Sequence, residues 1–338
     1  KNGQISQGGT GRHYQREKLI AAAATNTEFV NISPIRADLL DSVGGKWMAL
    51  RPNTDTALLL GIAHTLHTEG LSDPTFLNRY TEGFDEFLPY LLGTSDGVPK
   101  SAAWAAQICQ LKEDEILSLA RRMAHKRTMI SVSWSLTRQD HGEQPFWAAI
   151  TVAAMLGQIG LPGGGFGFGY SAMNYIGGDF TILPYSALPQ GKNPINDFIP
   201  VARITDLLTR PGQTVEFDGQ TLTYPEIKMM YWAGGNPFHH HQDLGRLMKA
   251  WQNPDTVVVH EWCWNSLAKR GDIVLPCTTP LERQDIAMTP RDPYIVSMSQ
   301  LTDPYAQSRN DYDIFAGIAS ELGILEAFTG GRSDVDWQ

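Results

Sequence analysis

Two rhythms of apolar and polar positions alternate along the chain. Short apolar or β-branched runs read as strands: Glu28 to Ile32, Trp47 to Leu50, Thr128 to Ser133, Ile227 to Trp232, Thr256 to Val259 and Asp272 to Pro276. Between them, apolar residues three and four apart predict helices over Tyr14 to Ala24, Pro74 through Leu92, Ser101 through His125, Phe146 to Ile159, Ala202 to Leu208, Asp243 to Trp251 and Asp311 to Leu322. A further helix carries Leu58, Leu59, Ile62, Ala63 and Leu66. Strands alternating with helices are the pattern of parallel sheets with crossover helices, so the fold class is α/β. Thr214 to Tyr224 breaks the rhythm, because Asp218-Gly219 between two alternating runs is a hairpin turn. One more strand is expected near Tyr294 to Met298, and the polar tail Thr329 to Gln338 is expected to fray.

In open α/β sheets ligands bind beyond the carboxyl ends of the strands, so the residues following each strand are where chemistry is sought. Ser33-Pro34-Ile35-Arg36 follows the first strand, and the proline forces a turn that leaves Ser33 and Arg36 free to meet a polar ligand. Arg51-Pro52-Asn53-Thr54-Asp55 follows the second, where either Thr54 or Asp55 can cap the next helix. The Asp55 carboxylate can equally accept two N–H donors from a guanine edge. The third strand delivers the polar loop Trp134 to Pro145, which costs backbone entropy unless it is tied down or binds something. Within it, His141 and Glu143 either form an acid–base pair or pin the loop.

The richest stretch runs from Met230 to Asp285. Its first strand stops at Ala233-Gly234-Gly235-Asn236-Pro237, and Gly234 to His241 should lie beside His260 to Trp264 at one sheet edge. Asn236 offers a donor and an acceptor where glycines let the backbone approach closely, and Arg283 offers a planar fork suited to phosphate or a purine face. His239, His240 and His241 are adjacent loop residues that point in different directions, and no third ligand follows His64 and His67, so neither group reads as a metal site. Leu161 to Gly169 lacks the Lys-Ser/Thr of a phosphate loop and follows a helix; it reads as a crossover between domains that continues as an irregular connection to about Pro200.

Composition narrows the function classes. With 338 residues, 42% hydrophobic and 19% charged, the chain is globular and long enough for one large or two ordinary cores. A net charge of −9 without clustered Lys and Arg argues against nucleic acid as a partner. Cys109, Cys263 and Cys277 form no CxxC pair, so neither a zinc ribbon nor an iron–sulfur cluster has its ligands here; Cys263 and Cys277 read as buried thiols. No stretch is apolar for the length a bilayer requires. The opening Lys1-Asn2-Gly3 has no signal-like region, and the chain is expected to be the middle of a longer protein.

Tyr231-Trp232-Ala233-Gly234-Gly235-Asn236-Pro237-Phe238-His239, with Asp272-Ile273-Val274-Leu275-Pro276 and Leu281-Glu282-Arg283 downstream, resembles the molybdopterin oxidoreductases of the dimethyl sulfoxide reductase family. Trp134-Ser135-Leu136-Thr137-Arg138-Gln139-Asp140-His141-Gly142-Glu143-Gln144-Pro145 resembles the single-subunit branch that reduces S-oxides and N-oxides, namely dimethyl sulfoxide, trimethylamine N-oxide and biotin sulfoxide. The similarity extends in consistent order over essentially all 338 residues. It implies two doubly wound, Rossmann-like domains with mostly parallel sheets, residues 1–165 and 201–338, joined by an irregular connection over residues 166–200. It also implies molybdenum held by two molybdopterin guanine dinucleotides, and two-electron oxygen-atom transfer from a small-molecule S-oxide or N-oxide.

Cofactor contacts carry over by position. Ser33, Arg36, Thr54, Asp55, Trp134, Ser135 and Arg138 fall on one dinucleotide arm; Asn236, His239, His260, Glu261, Asp272 and Arg283 fall on the second. The chain departs from many relatives at Thr137, where they carry glutamine, and at Glu261, where they carry aspartate. The resemblance puts the family's serine metal ligand upstream of this segment and a further cofactor-binding domain downstream, so no catalytic residue and no metal ligand carries over. A stand-alone binding or assembly module on this fold would bind cofactor without turnover. A nicotinamide dehydrogenase would need GxGxxG after a strand and a downstream ribose-binding acid, and no strand here has both. The electron donor is not legible, and relatives occupy the bacterial periplasm or the cytoplasm. A middle piece of such an enzyme is expected to expose apolar patches and to self-associate.

Overall fold

The computed structural model describes residues 15–168, 191–288 and 295–338, and the chain divides into two compact units, Lys1–Leu183 with Thr289–Tyr294 and Pro184–Met288 with Ile295–Gln338. The first unit starts with α1 (Gln15–Ala23) and the parallel pair β1 (Val30–Ile32) and β2 (Lys46–Met48). Five helices follow: α2 (Asp55–Thr68), α3 (Pro74–Tyr80), α4 (Phe84–Leu91), α5 (Ala102–Cys109) and α6 (Glu113–His125). A second parallel pair, β3 (Met129–Val132) and β4 (Gly165–Phe168), brackets α7 (Gln144–Met155). The core forms around α2, whose Leu58, Ile62 and Leu66 are buried and which packs against α5, α6 and α7. Gly61 sets the closest approach: a Cβ there would stand 2.6 Å from the Ala105 Cβ, so any side chain would push α2 and α5 apart.

The second unit contains α8 (Ile204–Thr209), the antiparallel hairpin β5 (Thr214–Phe217) and β6 (Gln220–Thr223), and then β7 (Met229–Ala233), α9 (Pro237–His240) and α10 (Leu244–Ala250). Strands β8 (Thr256–Glu261) and β9 (Ile273–Pro276) complete a parallel sheet ordered β7-β8-β9. The antiparallel pair β10 (Asp285–Ala287) and β11 (Val296–Met298) precedes α11 (Asp311–Glu321), α12 (Leu325–Thr329) and α13 (Asp334–Trp337). Being central, β8 is covered on both faces, and Val257 and Val259 pack with Leu247, Trp251, Phe238 and Leu267. The architecture is α/β with short, mostly parallel sheets, as the alternation of strand and helix patterns predicts.

Four local expectations are corrected. Trp134–Arg138 is a short 3₁₀ helix, not open loop; the Ser133 hydroxyl accepts the Ser135 N–H and starts the turn. Residues 165–168, expected within the crossover, form β4, because Phe166 and Phe168 pair with β3 and Phe168 packs on Trp134 and Phe146, long-range contacts that outweigh glycine's poor strand propensity. The rest of the crossover, residues 169–190, lies outside the described residues. The tail does not fray: Ser333 and Asp336 form a capping box, Trp337 donates to the Thr329 carbonyl, and Arg332 stacks on Trp337. Cys263 is exposed, because it lies in the turn beyond the sheet edge, whereas Cys109 is buried and Cys277 half-buried.

Candidate functional site

Where β7 ends, Gly234 and Gly235 both adopt left-handed backbone (φ +82° and +75°), which reverses the chain at little steric cost. Ala233 lies opposite His260 and Glu261 opposite Pro276, so three strand ends arrive at one edge. There Gly234, Gly235, Asn236, His260, Glu261, Trp262, Asn265, Cys277 and Asp311 line a cleft of about 400 Å³. Gly234 to Asn236 and His260 to Trp262 do lie side by side.

The cleft is rich in acceptors. Glu261 is only 8% exposed, and its carboxylate makes no hydrogen bond among the described residues. Asp311 accepts from His260 Nδ1 at 2.7 Å, while the Tyr231 hydroxyl meets His260 Nε2 at 2.6 Å. Burial, with the Asp311 charge adding to it, raises the Tyr231 pKa. The Cys277 thiol is pushed up to about 11, first by burial and then by Asp311 and Glu261, so it stays protonated. Asn236 is used internally: its Oδ1 accepts the Phe238 N–H at 3.0 Å and its Nδ2 donates to Ser266 Oγ at 3.0 Å, holding the turn rigid beside the cleft.

The remaining residues expected on this arm are placed differently. His239 is exposed on α9, outside the cleft lining. Asp272 precedes β9 and therefore sits at the amino edge of the sheet, where its carboxylate accepts the Val257 N–H at 2.8 Å; the structure does not bring it to the cleft. Arg283 uses Nε on Asp285 and Nη1 on the Thr278 carbonyl, both at 2.8 Å, so two of its donors are committed to holding its own loop. His241 is half-buried with Nε2 unpartnered, and desolvation, followed by the neighbouring His240, lowers its pKa. No group of three metal-ligating side chains occurs among the described residues.

In the first unit the expected residues likewise follow strand ends. Ser33 is buried just after β1, donating to Asp38 at 2.6 Å and accepting the Ile35 N–H, which leaves it a turn-former. Arg36 and Arg138 are exposed, without an ion pair among the described residues. Thr54 occupies the N-cap position of α2, but its hydroxyl donates to the Arg51 carbonyl at 2.7 Å and does not cap. Asp55, expected as a possible cap, instead starts the helix; it is half-buried, and desolvation raises its pKa. Trp134 stacks at 5.4 Å on Phe168, and Ser135 pairs with Ser133. His141 lies 3.7 Å from Glu143, both largely exposed, with left-handed backbone at His141 (φ 51°).

Tyr231, Cys277 and Asp311 escape the sequence reading. Asp311 had a signal, a helix-initiating acid, but nothing local ties it to His260.

An acceptor-lined cleft at the carboxyl ends of parallel strands lies where open α/β sheets bind their ligands. Residues 13–321 match the model of the family described as "Molybdopterin oxidoreductase", and the chain belongs to that family, whose cofactor is molybdenum with molybdopterin. It is 45% identical to biotin sulfoxide reductase of Cereibacter sphaeroides, over 100% of this chain and 45% of that protein. It is 44% identical to dimethyl sulfoxide/trimethylamine N-oxide reductase of the same organism (92% of this chain, 39% of that protein). Trimethylamine-N-oxide reductase of Haemophilus influenzae is 43% identical (93% and 40%). The chain thus spans less than half the length of these relatives. Among solved structures, acetylene hydratase from Pelobacter acetylenicus shares the fold, with TM-score 0.55 at 17% identity over 93% of this chain and 45% of that one. No helix among the described residues is long and apolar enough to cross a membrane.

Proposed function

We propose that this chain is the part of a molybdenum-dependent S-oxide or N-oxide reductase that holds the cofactor's two guanine dinucleotide arms, one in each unit. The carrying observation is Glu261: the residue is 8% exposed and lines the cleft, and its carboxylate has no hydrogen-bond partner among the described residues, so it is free to accept the donors a ligand would bring. The residues fit such a group. Glu261 and Asp311 accept N–H or O–H donors of a nucleoside, and Gly234-Gly235 lets a ligand approach the main chain. In the first unit the half-buried Asp55 offers a second acceptor, and Arg36 and Arg138, exposed and without an ion pair among the described residues, would supply positive charge for phosphates. The identity of 43–45% to reductases named for biotin sulfoxide, dimethyl sulfoxide and trimethylamine N-oxide supports the substrate class.

When bound, the metal centre supplies the two-electron oxygen-atom chemistry. The residues here would bind and orient it: Trp134, Ser135 and Arg138 toward one arm, Glu261 and Asp311 toward the other, with Asn236 and His260 holding the edge of that cleft through their internal hydrogen bonds. On this reading the serine metal ligand belongs to the longer protein, and this chain alone has no turnover. The test is mass spectrometry of the chain expressed where the cofactor is made, denatured and oxidised to release pterin, with elemental analysis for molybdenum. Guanine-bearing pterin is the expected result, reduced in Glu261→Gln. A pterin lacking guanine, or a chain that retains none, would overturn the assignment of the arms.

A further inference from the structure

His260 is 2% exposed and lies between two polar groups that come from different elements: Asp311 at the start of α11 and Tyr231 on β7. An ionised carboxylate only accepts, so the proton between Asp311 and the ring belongs to Nδ1. Nε2 is then the acceptor, and the proton between it and Tyr231 is the phenol's own. Both ring nitrogens are spent inside the protein. Phe315 stacks on the imidazole with centroids 4.9 Å apart and also packs on Tyr231 at 5.7 Å, which fixes the ring plane. The groups facing this chain are Glu261 from β8, the Cys277 thiol past β9, and Asp311 from α11; no Lys or Arg lines the cleft among the described residues. One Asp311 oxygen takes the imidazole proton, while the other has no hydrogen bond among the described residues.

We propose that Tyr231 and His260 are positioning residues that hold Asp311 at the cleft as an oriented acceptor, so that Asp311, and not the imidazole, meets the N–H or O–H edge of the ligand. This rests on the nucleotide-arm reading for the ligand's identity, but the tautomer it requires is a property of the protein alone. An imidazole that carries a single proton orients the carboxylate without the charge neutralisation that an arginine would bring, so the free oxygen remains a strong acceptor for a neutral donor edge.

The experiment has two arms. Long-range ¹H–¹⁵N correlation on histidine-labelled protein at mildly alkaline pH, with His260 assigned by its loss in His260→Gln, is expected to give the Nδ1–H tautomer. In Tyr231→Phe, which keeps the stacking on Phe315, Asp311 still holds the proton on Nδ1, and the Nε2 resonance should shift as that nitrogen loses its hydrogen bond. Calorimetric titration with guanosine 5′-monophosphate as the probe is expected to show binding that weakens about fivefold to tenfold in Tyr231→Phe, the effect of losing one hydrogen bond, and disappears in Asp311→Asn. An Nε2–H tautomer in the wild type, or unchanged affinity in Tyr231→Phe, would overturn the positioning pair. An Nδ1–H tautomer with no nucleotide uptake by the wild type would overturn the nucleotide reading, and with it the ligand-facing half of the proposal.

Discussion

At the scale of single residues, burial decides which candidates are chemically poised. Asp55 is half-buried at the start of α2, and desolvation raises its pKa against the lowering pull of its own backbone N–H. Its folded-state pKa exceeds its unfolded one, so the stability it contributes is present at low pH and is lost as pH rises through its folded pKa. We therefore expect Asp55→Asn to raise the melting temperature at neutral pH while weakening retention of the guanine-bearing ligand; a lower melting temperature would contradict this. Cys277 in the cleft and Cys263 outside its lining give a sharper contrast. Cys277, pushed up to about 11, should react with an alkylating agent at neutral pH far more slowly than the exposed Cys263. Peptide mapping after timed labelling reads this, and equal rates would remove the case for a protonated thiol in the cleft. Asn236 and Asp55 were visible in the sequence because each lies in a turn that leads on from a strand, and Glu261 because it falls on a position of the family motif. Asp311 was hidden, since it meets His260 across a separation of 51 residues and only folding joins them.

At the scale of elements, the second unit is tied together by Asp206 on α8. Its side chain is 10% exposed; Arg246 of α10 donates to it at 2.7 Å and Arg203 at 3.1 Å, while Arg210 stands at 3.7 Å. Arg246 is the chief cause of its lowered pKa. Because the folded pKa is depressed, this stability is present above the usual aspartate range and is lost as pH falls through the folded value. Asp206→Ala should cost about 1–3 kcal/mol, less than for a fully buried pair because the arginines are half exposed to solvent. Urea denaturation near neutral pH measures the loss, and the variant should show a flatter acid dependence than the wild type. Elements with strong periodicity, such as α2, α6 and β8, were legible from apolar spacing. The strand at β4 was not, because Gly165-Phe166-Gly167-Phe168 has weak intrinsic preference and becomes a strand only by pairing with β3.

At the scale of the whole molecule, the second unit alone exposes Trp262, Trp264, Leu301, Tyr305, Ile195 and Phe198, several of them more than two-thirds open to solvent. Large apolar side chains in such number favour association, and we expect sedimentation velocity to show a weight-average coefficient that rises with concentration. A monomer independent of concentration would contradict it. The sequence by itself determined the α/β class, the order of the strongly periodic strands and helices, and the family, because these depend on periodicity and on motifs contiguous in the chain. Tertiary structure alone decided which candidates meet. It sent Asp272 to the opposite edge of the sheet, engaged Arg283 and Asn236 in internal hydrogen bonds, ordered a polar tail through Trp337, and brought Tyr231 and Asp311 to the two sides of His260. Side-chain direction and long-range pairing are set by packing, which no local pattern encodes.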